Sequence, residues 1–359
     1  MSEKFQPLKG KKVFVTGHTG FTGSWACIWL SQLGCEVFGY SLEPETSPNL
    51  FTEAKVGELV SGKIADIRSF ETLRTEIAKF QPDLVLHLAA QPLVRRSYRI
   101  PRETFEINAQ GTANLLEAIK GVLSIKGVLC ITTDKVYKNL ETDHRYIESD
   151  ELGGRDPYSA SKAAAELIIA SYRSSYRGLG TKAPIISVAR GGNIIGGGDW
   201  SEDRIVPDYI RSFQSNQVLE IRFPQATRPW QHVLSLVDGY LSILTGMISE
   251  DAEKFDQAFN LGPLESKPVS VAELISILSM HLSGVVIQAE HPNLHEAGKL
   301  GLNSELARDT FSWKPRWTTE SVIRETANWY KEFLSGNAPA LSLCKHQIEA
   351  WSQWEENSL

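Results

Sequence analysis

Three observations predict an α/β fold built on a doubly wound parallel sheet. Short apolar segments rich in β-branched residues alternate with helical periodicities as far as residue 190, glycines end several of these segments, and 359 residues exceed one average domain. The first strand is Lys12–Thr16, reading Lys-Val-Phe-Val-Thr, and it runs directly into glycines. Helical spacing follows from Phe21 to Leu33 and stops at Gly34, a residue suited to the left-handed position after a helix. A second strand starts at Glu36, which completes one βαβ unit. The alternation continues with helices around 69–80 and 104–119, strands at 83–88 and 127–132, a long helix at 158–177 and a strand at 185–188. Beyond Arg190 the pattern loosens into Gly/Asp/Pro-rich stretches with helical segments at 234–248, 271–282 and 319–333. The expected division is a sheet domain at 1–190, to which segments in 233–262 return, and a smaller mixed α/β lobe over most of 191–359.

The net charge of −6 has no basic block behind it; the longest basic runs are pairs such as Arg95-Arg96, so nucleic-acid binding is not expected. Residues 1–12 are polar and no eighteen apolar residues run together, which predicts a cytoplasmic protein without membrane contact. Cys27, Cys35, Cys130 and Cys344 show no ligand spacing and read as reduced structural thiols, with no metal site. The Trp-rich tail (Trp313, Trp317, Trp329, Trp351, Trp354) reads as packing.

Between the first strand and first helix lies Thr16-Gly17-His18-Thr19-Gly20-Phe21-Thr22-Gly23, the context a dinucleotide fingerprint requires. Gly17 permits the tight turn, Gly20 lets backbone amides approach a pyrophosphate at the positive helix end, and Gly23 lets helix and sheet pack closely. The Gly-x-x-Gly-x-x-Gly spacing resembles the extended short-chain dehydrogenase/reductase superfamily, which implies a Rossmann-type NAD(P) domain. Where that family reads the ribose, Ser41 stands with Glu43 two positions on; this leaves NAD and NADP open, and the lack of a nearby arginine leans toward NAD. The resemblance further implies that Asp66 and Ile67 contact adenine and that Leu88, Ala89, Ala90 and Thr132 run beside the cofactor.

Tyr158 and Lys162 stand four apart, so their side chains share one helix face. They match the family's Tyr-x-x-x-Lys. A phenol of ordinary pKa about 10 is a poor base at neutral pH, and a neighbouring ammonium group is expected to lower that pKa. Tyr158 could then take a hydroxyl proton as hydride leaves. Thr133, at the carboxyl end of a strand, could hold the substrate's reacting oxygen. Asn108 matches a position that in the family helps arrange the catalytic lysine.

The run Thr133-Asp134-Lys135 resembles the nucleotide-sugar 4,6-dehydratases, in which Asp-Glu usually follows the threonine and serves as acid and base in eliminating water. Asp134 matches, and Lys135 replaces the glutamate. Lys135 could abstract the C5 proton if desolvation favours its neutral amine, the favoured reading, or stabilise the enolate as a cation. Further runs, Gly196-Gly197-Gly198-Asp199-Trp200 and Arg228-Pro229-Trp230-Gln231-His232-Val233, are similar to those of the CDP-glucose 4,6-dehydratases of bacterial dideoxyhexose synthesis. That resemblance implies NAD, a nucleotide-sugar substrate and a homodimer or tetramer, with Gln91, Arg96, Asn193, Arg204 and Arg228 on the substrate. The alternatives are a dTDP- or UDP-glucose 4,6-dehydratase, a nucleotide-sugar 4-epimerase, and, remotely, a non-catalytic dinucleotide sensor.

Overall fold

Seven parallel strands carry the site. The computed structural model describes residues 3–178, 183–221, 223–263, 269–282, 286–288 and 300–354. Along the chain the sheet strands are β1 (Lys12–Thr16), β2 (Glu36–Ser41), β3 (Ser61–Ile64), β4 (Leu84–His87), β5 (Gly127–Ile131), β6 (Ile185–Arg190) and β7 (Ala258–Asn260). In space they lie in the order β7-β6-β5-β4-β1-β2-β3. Every adjacent pair is parallel. The chain therefore winds outward in both directions from β1, and the crevice at the carboxyl ends of β1 and β4 is where such a sheet accepts a ligand.

Both faces are covered, which is why β1, β4 and β5 read as continuous apolar runs rather than alternating ones. On one face Trp25, Ile28 and Leu30 of α1 (Phe21–Gln32) share a core with Leu234, Val237 and Leu241. On the other face Phe14 packs with Leu73, Ile77, Leu115 and Ile169. Each such side chain contributes about 1.5–3 kcal/mol on burial. The helices that supply them are α2 (Phe70–Phe80), α3 (Gly111–Ala118), α4 (Pro157–Gly178) and α5 (Val233–Gly246).

Two strands, β3 and β7, have no counterpart in the expected elements. β3 is Ser-Gly-Lys-Ile with all four residues exposed, so it carries no apolar signal; it forms because β2 leaves an open edge beside it. The expected helix at 104–119 is broken into Pro101–Phe105, a wide π turn at Glu106–Gln110, and α3. Trp313, Trp329 and Trp351 are buried, as the packing reading of the tail requires.

Candidate active site

One cavity of about 1060 Å³ runs from the β1–α1 loop across the strand ends to residues 191–230. At its cofactor end Gly17 adopts φ +77° and lies so near the neighbouring strand that a Cβ there would sit 2.7 Å from the Ala89 amide nitrogen. A Cβ on Gly23 would lie 2.0 Å from the Gly17 carbonyl oxygen, whereas one on Gly20 would meet only that same oxygen, at 3.4 Å. Gly17 and Gly23 are thus closed on the protein side, while Gly20, the N-cap of α1, is open. This cradle of amides fits a dinucleotide pyrophosphate. Gly23→Ala is expected to destabilise the loop by about 1–3 kcal/mol and weaken NAD tenfold or more, read by melting and calorimetry.

Phe21, Thr22, Ile67, Leu88 and Ala90 also line this end of the cavity. His18 is not among its lining residues: the ring is buried over Gly39 and Gly62, edge-on to Phe51. Burial lowers its pKa to about 4. The ring buttresses the loop from behind. Thr19 Oγ1 shares a 2.8 Å hydrogen bond with Ser41 Oγ, joining loop and ribose-reading strand. Asp66 Oδ2 accepts from Arg68 Nη2 at 2.6 Å, and that hydrogen bond holds the Asp66 carboxyl below the usual range.

At the strand ends the reacting groups converge. Tyr158 and Thr133 both line the cavity here, with Thr133 favouring the ionised phenol. Thr133 Oγ1 donates to Asp134 Oδ1 at 2.9 Å, and Lys135 Nζ donates to the same oxygen at 3.0 Å. Both side chains line the cavity, that of Lys135 27% exposed and that of Asp134 only 2%. Lys162 Nζ donates to the Ile131 carbonyl at 3.0 Å. The Tyr158 pKa runs opposite to expectation: burial pushes it up to about 12, only partly opposed by Thr133. The same desolvation brings Lys162 down to about 8. Both shifts have one cause, because removing water penalises whichever form is charged.

Asn108 is buried beside the helix that carries Lys162. Its amide accepts from Gln91 N at 2.8 Å and donates to Ser161 Oγ at 2.9 Å, tying the β4 loop to the helix turn beside Lys162. The π turn gives it this reach. Gln91 spends its own amide locally, donating to Thr104 Oγ1.

Several residues expected on the substrate line the cavity but have protein partners here. Asn193 Nδ2 donates to Asp134 Oδ2 at 3.0 Å, which adds it to the acid's environment. Arg96 pairs with Glu45 and Glu202, Arg204 pairs with Asp199 at 3.0 Å, and Arg228 Nη1 donates to the Thr227 carbonyl. Glu45 and Glu202, which the motifs did not single out, stand at this rim because loops from distant parts of the chain meet there. A second omission is deeper: Thr132 Oγ1 donates to Glu166 Oε1 at 2.6 Å, and Glu166 pairs with Arg190. The spacing Tyr158, Lys162, Glu166, each four residues on, was the available signal. Among the described residues no helix is long and apolar enough to cross a membrane, and no three His, Cys, Asp or Glu could hold a metal ion.

Residues 13–262 match the model of the NAD dependent epimerase/dehydratase family. The chain belongs to this family. A CDP-glucose 4,6-dehydratase of Salmonella typhimurium is 42% identical, covering 91% of this chain and 92% of that protein. A dTDP-D-glucose 4,6-dehydratase of Mus musculus is 27% identical over 90% of this chain and 89% of its own length. In fold the chain resembles dTDP-glucose 4,6-dehydratase of Bacillus anthracis solved with NAD, with a TM-score of 0.75, 21% identity and coverage of 90% and 97%. These likenesses bear out the Rossmann-type α/β fold and the NAD-dependent family expected from the glycine loop and the Tyr/Lys pair.

Proposed function

We propose that the chain converts CDP-glucose to CDP-4-keto-6-deoxyglucose and water. The observation that carries the reaction class is the buried Asp134 between Thr133 and Lys135, in the same cavity as Tyr158. An epimerase needs only the tyrosine side of this arrangement; an elimination also needs an acid for the departing oxygen. The similarity to the Salmonella enzyme at 42% identity supports the CDP sugar. Bound NAD supplies the acceptor and later the donor of one hydride, and its oxidised ring brings a positive charge beside Tyr158.

The chain's own groups divide the remaining work. Tyr158, as the phenolate that the Lys162 ammonium stabilises, takes the proton of the C4 hydroxyl, which Thr133 orients, and becomes the neutral phenol. With C4 a ketone, the C5 proton is acidified. Lys135 hands a proton to Asp134 across their 3.0 Å contact, Asp134 delivers it to the leaving C6 oxygen, and the freed Lys135 amine takes the proton from C5. One water leaves; the hydride that returns to C6 is matched by a proton from Lys135 to C5, and the proton that Tyr158 took at C4 makes up the one Lys135 gives, so every group ends as it began. Asn193, donating to the other Asp134 oxygen, keeps the carboxyl aimed during the exchange. Arg96, Arg204 and Arg228 surround the substrate end and take the diphosphate by exchanging their present partners for phosphate oxygens. Four cysteines free of disulfides support a cytoplasmic enzyme, and we assign it a homo-oligomeric state by its family.

Incubation with NAD and, separately, CDP-, dTDP-, UDP- and GDP-glucose tests this. The 4-keto-6-deoxy product should form fastest from the CDP sugar. Keto product from none of the four would end the dehydratase reading, and a 4-epimer would replace it.

A further inference from the structure

Glu166 stands behind the reacting groups, yet it touches the element that carries each of them. It is one turn beyond Lys162 on α4 and is 5% exposed. Its Oε1 accepts from Thr132 Oγ1 at 2.6 Å, and both its oxygens accept from Arg190 Nε, at 2.9 and 3.0 Å. Arg190 ends β6 and donates through Nη1 to Tyr137 Oη at 2.7 Å and to the Glu148 carbonyl at 2.9 Å. Tyr137 lies two residues after Lys135, and its hydroxyl donates to Asn260 Oδ1 at 2.7 Å, on edge strand β7. One carboxylate therefore ties the helix of Tyr158 and Lys162 to the strand end of Thr133 and, through arginine, to the loop of Asp134 and Lys135.

A buried ion pair of this kind adds little net stability compared with an apolar replacement, because desolvation offsets most of its attraction. Geometry and local charge are what it supplies. We infer that Glu166 is a positioning residue of the reaction: through Thr132 it holds the Thr133 hydroxyl against Tyr158, and it places a negative charge behind the Lys162 ammonium. This rests on the oxidation at Tyr158 proposed above.

The charge argument follows from what faces Lys162. From β5 come the Cys130 thiol, which burial keeps protonated by raising its pKa to about 12, and the Ile131 carbonyl. From β4 comes His87, buried and held neutral with its pKa down to about 3, and one turn back on the same helix Tyr158 lines the same cavity. Glu166, with Arg190 on its far side, is the anion in this group. Lys162 must be charged to stabilise the phenolate, so activity present below its folded-state pKa of about 8 is lost as pH rises through that value. Neutralising Glu166 removes the charge that opposes desolvation, and the loss should begin at lower pH.

The test compares Glu166→Gln, Glu166→Asp and Thr132→Val with the wild type. It uses the NAD-loaded enzyme with CDP-glucose and measures kcat and KM across pH, NAD affinity by calorimetry, and the melting temperature. Glu166→Gln should lower kcat on the order of 10–100-fold with KM and NAD affinity within about twofold, and move the basic limb of the kcat profile down by about one unit. Glu166→Asp keeps the charge, so its basic limb should stay while kcat falls. Thr132→Val cuts the tether yet leaves the ion pair, and should likewise lower kcat without moving the limb; it carries the test if Glu166→Gln does not fold. A folded Glu166→Gln enzyme with wild-type kcat and an unmoved basic limb would overturn the inference. So would losses in all variants that follow only melting temperature or NAD affinity. A wild type that forms no keto sugar would instead remove the functional reading itself.

Discussion

Tyr158→Phe should lower kcat with CDP-glucose by roughly 10³-fold or more, about 4 kcal/mol of lost barrier reduction, while KM and NAD affinity stay close to wild type. The phenol is the group placed to take the C4 proton, and it lines the cavity together with Thr133, the residue that receives the same substrate oxygen. A phenylalanine ring fills the same volume, so the fold should persist and the melting temperature should change little. The burial that raises the tyrosine to about 12 sharpens the expectation: Tyr158 becomes a base only when positive charge surrounds it in the assembled complex. The measurement is single-turnover formation of reduced cofactor. A variant that still reduces NAD at wild-type rate would exclude Tyr158 as the base.

Asp134→Asn should abolish dehydration, with kcat down roughly 10²–10⁴-fold, and should leave oxidation at C4 intact. Asparagine keeps the size of the side chain and still accepts from Thr133, but it cannot carry the proton that Lys135 passes across 3.0 Å. The enzyme should therefore accumulate reduced cofactor instead of product. A CDP-glucose analogue with fluorine at C6 separates the two roles, since fluoride departs without a proton. Asp134→Asn should turn over this analogue once a small buffer base such as imidazole takes the Lys135 proton in place of Asp134, while Lys135→Met should not, because the C5 proton still needs a base. Exchange of the C5 hydrogen with deuterated water gives a second readout, present in Asp134→Asn with that buffer base and lost in Lys135→Met. Failure of the fluoro analogue to rescue Asp134→Asn would refute the acid role.

The two Asp134 and Lys135 substitutions also address the position at which the motif departs from its relatives. The pairing seen between these adjacent side chains does not follow from their being neighbours: consecutive residues on a strand point to opposite faces, and here a short 3-10 turn at Asp134–Val136 turns both toward the cavity. Thr133 caps that turn by accepting from the Lys135 amide. The three residues thus act as one structural unit, and their order along the chain is what made the unit recognisable.

What the sequence determined by itself is what depends on short separations. The βαβ alternation, the glycine loop, the Tyr158 and Lys162 pair and the Thr133-Asp134-Lys135 run are all local spacings whose meaning survives without coordinates. The tertiary structure alone decided what depends on contacts between distant segments and on exclusion of water. β3 has four exposed residues and exists only as a partner of β2; Thr132 meets Glu166 across 34 residues; Asn193 reaches Asp134 across 59. His18 sits in the fingerprint yet turns its ring inward, because Gly39 and Gly62 leave room beneath it. The pKa values of Tyr158 and Lys162 moved toward their neutral forms for a like reason: residue type sets the ordinary value, but only packing determines how much water remains to stabilise charge.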